Sequence, residues 1–348
     1  MSRSTTLAAV LVETGRPLEL ADLAIPALKP GQVLVDIAFS GVCHTQLLET
    51  RGFRGPDRYL PHGLGHEGSG RVLETGAQVR KVKTGDVVLL SWMKGSGAEA
   101  PGTVYSWKGK PVNAGAITTF ARSTVVSENR LTVLPSGFPL REAALFGCAV
   151  PTGFGMVFNA LRSEAGSSLV VFGTGGVGLC AVAAARLAGC SPVVAVDRRT
   201  QRLEAARQLG ATHTLRAEEA SGESLRALAP GGFDYAIEAS GRPDVMSQAL
   251  SCVRPRGGTA VMAGNARHGE ALSLDPRQFN EGKRLLGTWG GDNDPDRDFP
   301  RWFSFLSSGR LDLSPLLSDS YPLARVNEAL ADLETGRSVR PLLDLSLS

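Results

Sequence analysis

The stretch SLVVFGTGGVGLCAVAAARLAG, residues 168–189, decides how the chain is read. An apolar run through Phe172 leads into a turn with glycines at 173, 175, 176 and 178, and an Ala-rich segment with helical character follows. PVVAVD (192–197) then reads as a strand and TQRLEAARQLG (200–210) as a helix. The order strand, helix, strand, helix is that of a parallel sheet. Gly173, Gly175 and Gly178 form GxGxxG between strand and helix, the context in which a backbone approaches a dinucleotide pyrophosphate at a helix N-terminus; Gly176 and Val177 complete the turn. A glycine turn required only for packing is the competing reading. Asp197 ends the next strand, 24 residues beyond Gly173, where a carboxylate accepts both ribose hydroxyls and repels a 2′-phosphate. NAD is therefore expected over NADP, with Arg198 and Arg199 softening the discrimination.

Working outward, FDYAIEAS (233–240) and GGTAVMAG (257–264) extend the same sheet. Before residue 150 the pattern differs: QVLVDIAFS, GRVLETG and DVVLLSW are short strands punctuated by Gly and Pro. The segment RVNEALADLETGRSVRPLLDL (325–345) reads as a helix, a glycine stop and a strand that returns to the first domain. The expected organisation is an α/β chain: a β-rich domain over 1–149 and 291–348, and a doubly wound cofactor domain over 150–290.

Composition narrows the function. The 348 residues are enough for roughly two domains, and no apolar run approaches the roughly 20 residues that span a bilayer. The N-terminal segment has no cleavage pattern, so a cytoplasmic protein is expected. A net charge of +3 without a Lys/Arg block gives no footprint for nucleic acid or a membrane surface. Five cysteines, none spaced CxxC, argue against a disulfide framework.

Three polar features stand apart: GVCHTQ (41–46), GHEGSG (65–70) and GCAVPTG (147–153). Cys43, His66 and Cys148 together would make a Cys₂His set, a catalytic form of zinc with one position open. Separations of 23 and 82 residues carry no local metal signal, so buried inert thiols remain the alternative at this point.

Taken with GTGGVG and VAVD, these motifs resemble the medium-chain, zinc-dependent alcohol dehydrogenase family, in its order and spacing, from about Ala8 to Leu345. The resemblance implies a GroES-like catalytic domain with a Rossmann domain inserted before the C-terminal segment. By position, Cys43, His66 and Cys148 match the catalytic zinc ligands, and Glu67 an occasional alternative ligand. Thr45 matches the hydroxyl that takes the alcohol proton. His44 and Arg340 match pyrophosphate contacts, Thr152 lies beside the nicotinamide, Arg202 is near the adenosine ribose, and Trp92 lines the substrate pocket. The implied reaction is hydride transfer between NAD(H) and a primary or secondary alcohol, with its aldehyde or ketone, in a homodimer or homotetramer.

The chain departs from its relatives in three places. Gln46 stands where the family has Asp, an outer-shell acceptor for a ligating histidine, and Leu48 where a relay histidine is common. Residues 91–115 hold no cysteine where many relatives bind a structural zinc with four, so one catalytic zinc and no structural zinc are expected, with packing around Tyr105 and Trp107 holding the loop. Arg51, Arg54 and Arg58 raise the possibility of a polar or anionic metabolite as substrate. Two alternatives remain: a metal-free NADPH-dependent enone or quinone reductase of the same superfamily, and a non-catalytic NAD-binding protein.

Overall fold

The computed structural model describes residues 4–347, without the side chain of Asp319. The chain divides into two compact units, one of Met1–Cys148, Asp294–Phe303 and Leu317–Ser348, the other of Ala149–Asn293 and Ser304–Leu316.

The first unit is β-rich. Strands Thr5–Leu11, Glu19–Ala24, Val104–Trp107, Lys110–Asn113 and His62–Gly63 close a small barrel. A seven-stranded sheet is centred on Gln32–Gly41, which pairs antiparallel with Glu67–Thr75, Ser123–Ser127 and Arg340–Asp344. Alternation makes this a core strand: Val33 and Val35 are fully buried, with Leu47, Val88, Leu90, Phe120 and Leu343 in the same cluster. Each such side chain removed from water contributes about 1.5–3 kcal/mol before entropy is counted. The C-terminal helix Val326–Thr335 stops at Gly336, whose φ of 72° is left-handed, and the chain then returns as the strand Arg340–Asp344.

The second unit is a six-stranded, wholly parallel sheet in the order His213–Arg216, Val193–Asp197, Leu169–Phe172, Tyr235–Glu238, Thr259–Met262, Arg284–Gly287. Winding reverses between Leu169–Phe172 and Tyr235–Glu238, the switch point at which such sheets bind ligands. The helix Gly176–Leu187 covers one face, with Leu179, Cys180 and Val182 fully buried. It lies very close to the helix Ala149–Gly155: a Cβ on Gly153 would stand 2.5 Å from that of Cys180. No single helix among the described residues is long and apolar enough to cross a membrane.

Candidate metal centre and cofactor turn

Three elements of the first unit bring Cys43, His66 and Cys148 together. Cys43 caps the helix His44–Thr50, immediately after the central strand. His66 directly precedes the neighbouring strand Glu67–Thr75, and the antiparallel register that sets Ser40 opposite Gly68 places the start of one strand beside the end of the other. Cys148 follows the tight turn Ala144–Gly147, where a Cβ on Gly147 would stand 2.4 Å from the Leu90 carbonyl oxygen; glycine alone lets the turn lie on the sheet. The three ligand atoms lie within 4.8 Å of one another, and among the described residues this is the one such group of His, Cys and carboxylate side chains.

The donor set fits zinc. Both thiols are buried, and His66 Nε2 is buried without a hydrogen-bond partner, an orphan of the kind that a metal satisfies. A hydrogen bond from the Cys148 thiol holds Cys43 well below the usual thiol range against the opposing effect of burial, with Arg340 and His66 assisting. Cys148, the donor in that pair, is pushed well up, and burial adds to the rise. Burial disfavours the His66 imidazolium, but the neighbouring Cys43 and the Glu67 charge raise it overall.

Behind the thiols, Arg340 Nη2 donates to Glu67 Oε1, both side chains buried. Gly41 makes room for this pair, since a Cβ there would meet Glu67 Oε1 at 2.0 Å. Burial lifts Glu67 above the ordinary carboxyl range while Arg340 opposes it. Burial likewise works against the Arg340 charge, but Glu67 and Cys43 raise it well above the usual value. Arg340 Nε is buried and unpaired, so the guanidinium keeps a donor beyond Glu67.

Thr45 Oγ1 lies 3.7 Å from Cys43 Sγ, while Leu48 is buried in the core. His44 is exposed on the first turn of the same helix, and Trp92 is half-buried with its carbonyl held by Arg130. Glu49 escaped the sequence reading. It stands four residues after Thr45, on the same helical face, and burial raises its carboxyl although Arg54, His66 and His62 oppose the rise. Helical spacing from Thr45 was the available signal. Arg51 pairs with Glu334 at 2.6 Å and Arg58 donates to the Tyr59 hydroxyl at 2.8 Å, both at the surface. Arg54 faces Glu49 at 4.0 Å.

The loop without cysteines is held by more than the expected packing. Tyr105 is buried and accepts the Val125 N–H at 2.8 Å, and Trp107 packs on the same barrel core. The Glu128 carboxylate also accepts N–H groups from Arg80, Lys81 and Ala98, and Asp296 binds Lys81 at 2.7 Å and the Ser96 N–H.

In the second unit the three glycines of the turn divide their roles. Gly173 has φ 86° and a Cβ there would meet Ser240 N at 2.7 Å; one on Gly178 would meet the Gly173 carbonyl oxygen at 1.9 Å. Gly175 is different: nothing lies within 4 Å of its Cβ direction, and it begins the helix Gly176–Leu187 with no side-chain cap. That leaves open space in front of uncapped N–H groups, including those of Gly176 and Val177, which fits a pyrophosphate. Asp197 accepts the Thr174 N–H at 2.8 Å and the Arg199 N–H at 2.9 Å, so its carboxylate is tied to the turn itself. Arg202 approaches Asp197 at 3.9 Å, and burial lowers its basicity while Asp197 restores part of it. Thr152 lies in the buried helix Ala149–Gly155.

Residues 29–136 match the alcohol dehydrogenase GroES-like domain, and residues 176–308 match the zinc-binding dehydrogenase domain. An S-(hydroxymethyl)glutathione dehydrogenase of Synechocystis sp. is 30% identical across 97% of this chain and 98% of its own length. The chain belongs to the medium-chain, zinc-type alcohol dehydrogenase family. Another family member, the geraniol dehydrogenase of Castellaniella defragrans, is 34% identical over 97% of this chain and 96% of its own. Among solved family structures, an alcohol dehydrogenase zinc-binding domain protein from Burkholderia ambifaria superposes with a TM-score of 0.90 at 31% identity, covering 98% of this chain and 99% of that one. The benzyl alcohol dehydrogenase of Acinetobacter calcoaceticus gives 0.89 at 28%, over the same shares. The first unit is thus the GroES-like domain of the zinc-type alcohol dehydrogenases and the second their Rossmann domain, and the protein is an oxidoreductase of alcohols and their carbonyl partners.

Proposed function

We propose that the chain oxidises a primary or secondary alcohol, or reduces the matching aldehyde or ketone, with NAD(H) and one zinc ion held by Cys43, His66 and Cys148. The observation that carries this reading is the convergence of two buried thiols and an unpartnered buried imidazole nitrogen within 4.8 Å, a donor set for which alcohol dehydrogenases are the usual example. Zinc, when bound, supplies a Lewis acid that lowers the pKa of an alcohol or polarises a carbonyl. NAD, when bound, accepts the hydride.

The chain's own residues do the rest. Thr45, beside Cys43, holds and passes the alcohol proton, and with Leu48 in the core that proton leaves without a histidine at 48. Glu67 and Arg340 set the charge behind the thiols; we assign the remaining donors of Arg340, with His44, to the pyrophosphate. Gly175, Gly176 and Val177 offer N–H groups to a pyrophosphate. Asp197, aligned by two backbone donors, takes the ribose hydroxyls and favours NAD, with Arg202 alongside and Thr152 at the nicotinamide. Trp92 lines the substrate pocket. Glu49 argues for a neutral or hydroxyl-rich substrate over an anionic one, since two of the three nearby arginines are engaged. The same reading includes a cytoplasmic homodimer or homotetramer.

The test is metal analysis on the sample used for an NAD-coupled screen of alcohols and aldehydes. We expect one zinc per chain and activity with NAD. Cys148→Ser should lose the metal and about a thousandfold or more of the rate, several kcal/mol of charge stabilisation. Full activity in a zinc-free chain would overturn the reading.

A further inference from the structure

The side chain of Gln46 lies between two groups that ask opposite things of it. On one side the Cys43 peptide N–H lies 2.8 Å from Oε1; on the other, His66 Nδ1 lies 2.6 Å from Nε2. A peptide N–H can only donate, so the oxygen of the amide must face Cys43. This contact is also the Gln46 half of the capping arrangement that starts the helix His44–Thr50, and Gln46 is 1% exposed, so bulk water does not compete for it. The amide nitrogen is then left facing His66, and an amide nitrogen can only donate. His66 Nδ1 must therefore accept.

An imidazole that accepts at Nδ1 carries its proton on Nε2 when neutral. Nε2 is the nitrogen left over for the Cys43 and Cys148 side, buried and without a hydrogen-bond partner. Ligation there needs a lone pair on Nε2 and a proton on Nδ1, the reverse arrangement. A carboxylate at 46 has acceptors on both sides and would satisfy the Cys43 N–H and a His66 Nδ1–H together. The glutamine satisfies only the first.

We infer that Gln46 is a positioning residue which holds His66 with its proton on the wrong nitrogen for ligation, so that zinc uptake requires an internal rearrangement and this centre holds zinc more loosely than it would with a carboxylate at 46. The inference rests on the proposed ligand set. Binding requires either that the proton move to Nδ1, setting N–H against NH₂, or that the amide turn over and abandon the Cys43 N–H. Each costs one buried hydrogen bond, and outer-shell losses of this kind are worth about 10–100-fold in metal affinity.

The test compares the full-length wild-type chain with Gln46→Glu, which keeps the shape and changes donor to acceptor. Both are stripped with a chelator and labelled with ¹⁵N in histidine, with His66→Asn assigning the signals. In the metal-free wild type the nitrogen shifts should show a bare Nδ1 and a protonated Nε2 at His66, and in Gln46→Glu the reverse. Zinc titrated against a chromogenic chelator should bind Gln46→Glu about 10–100-fold more tightly. A protonated Nδ1 in the metal-free wild type overturns the inference, as does equal zinc affinity in the two chains. Added charge alone would tighten zinc but leave the wild-type nitrogens in the ligating arrangement, so the shifts separate it from hydrogen-bond polarity. If neither chain takes up zinc, the proposed metal centre fails, and the nitrogen shifts still decide the Gln46 arrangement.

Discussion

The metal centre and the cofactor turn are assembled in opposite ways. The turn is one continuous piece, Leu169 to Asp197, with contacts inside it: Gly178 lies against Gly173, and Asp197 binds Thr174, while Gly173 also abuts Ser240. The metal centre gathers Cys43, His66, Cys148 and Arg340 from four places in the sequence, and none is held there by its immediate neighbours alone. A local site is specified by spacing, so it tolerates little change in backbone volume. A distributed site is specified by the register of a sheet and by charges that must find one another.

The largest effect should come from breaking a distributed contact. Arg340→Met takes the guanidinium partner from the buried Glu67 carboxylate, and urea unfolding of the metal-stripped chain should show a loss of about 3–5 kcal/mol. Adding Glu67→Gln should restore most of it; an undiminished loss in the double variant would mean that the pair is not the cause. Next come the glycines. Gly178→Ala drives a Cβ into the Gly173 carbonyl and should cost about 1–3 kcal/mol of stability. Gly175→Ala has space for its methyl group and an extended φ of −73°, so it should melt within about 0.5 kcal/mol of wild type yet bind NADH about tenfold more weakly by titration calorimetry. Equal losses of stability in the two variants would erase the division of roles within the turn.

A further contrast concerns the cysteine-free loop. Burial pushes the Glu128 carboxyl up, but three backbone N–H groups hold it below the ordinary range overall. A depressed folded value gives stability that is present above the unfolded value of about 4.3 and lost as pH falls through the folded one. Glu128→Gln should therefore cost about 1–2 kcal/mol in urea melts from pH 7 to 5, with the gap to wild type closing below about pH 4. A gap that persists once the native carboxyl is protonated would assign the effect to shape and not to charge.

These differences explain what could be read from the sequence. The strand, turn and helix around Gly173 were legible because periodicity and glycine spacing act over a few residues, and so was the stop at Gly336 before the strand Arg340–Asp344. Cys43, His66 and Cys148 could be put forward as a set from residue type, but only family likeness favoured zinc over inert thiols, since their approach depends on the pairing of Ser40 with Gly68 and on the turn at Gly147. The Glu128 and Asp296 anchors were invisible, because a carboxylate that collects backbone N–H groups leaves no pattern in sequence. The excursion Ser304–Leu316 is likewise unmarked, as it begins inside the continuous helix Pro295–Ser307. The opposed demands on Gln46 needed atoms: the residue type showed a lost charge, and only geometry showed a reversed donor.

The pairing of Glu67 with Arg340 also sets an order of events during synthesis. Their positions differ by 273 residues, so at 5–20 residues per second the arginine leaves the ribosome roughly 15–55 s after the glutamate. Within that interval the parallel sheet of the second unit is translated, while the first unit still lacks the guanidinium that pairs with Glu67 and the strand Arg340–Asp344 that pairs with Gln32–Gly41. The nascent chain therefore completes its glycine turn before it has the arginine and the strand that back Cys43 and Glu67.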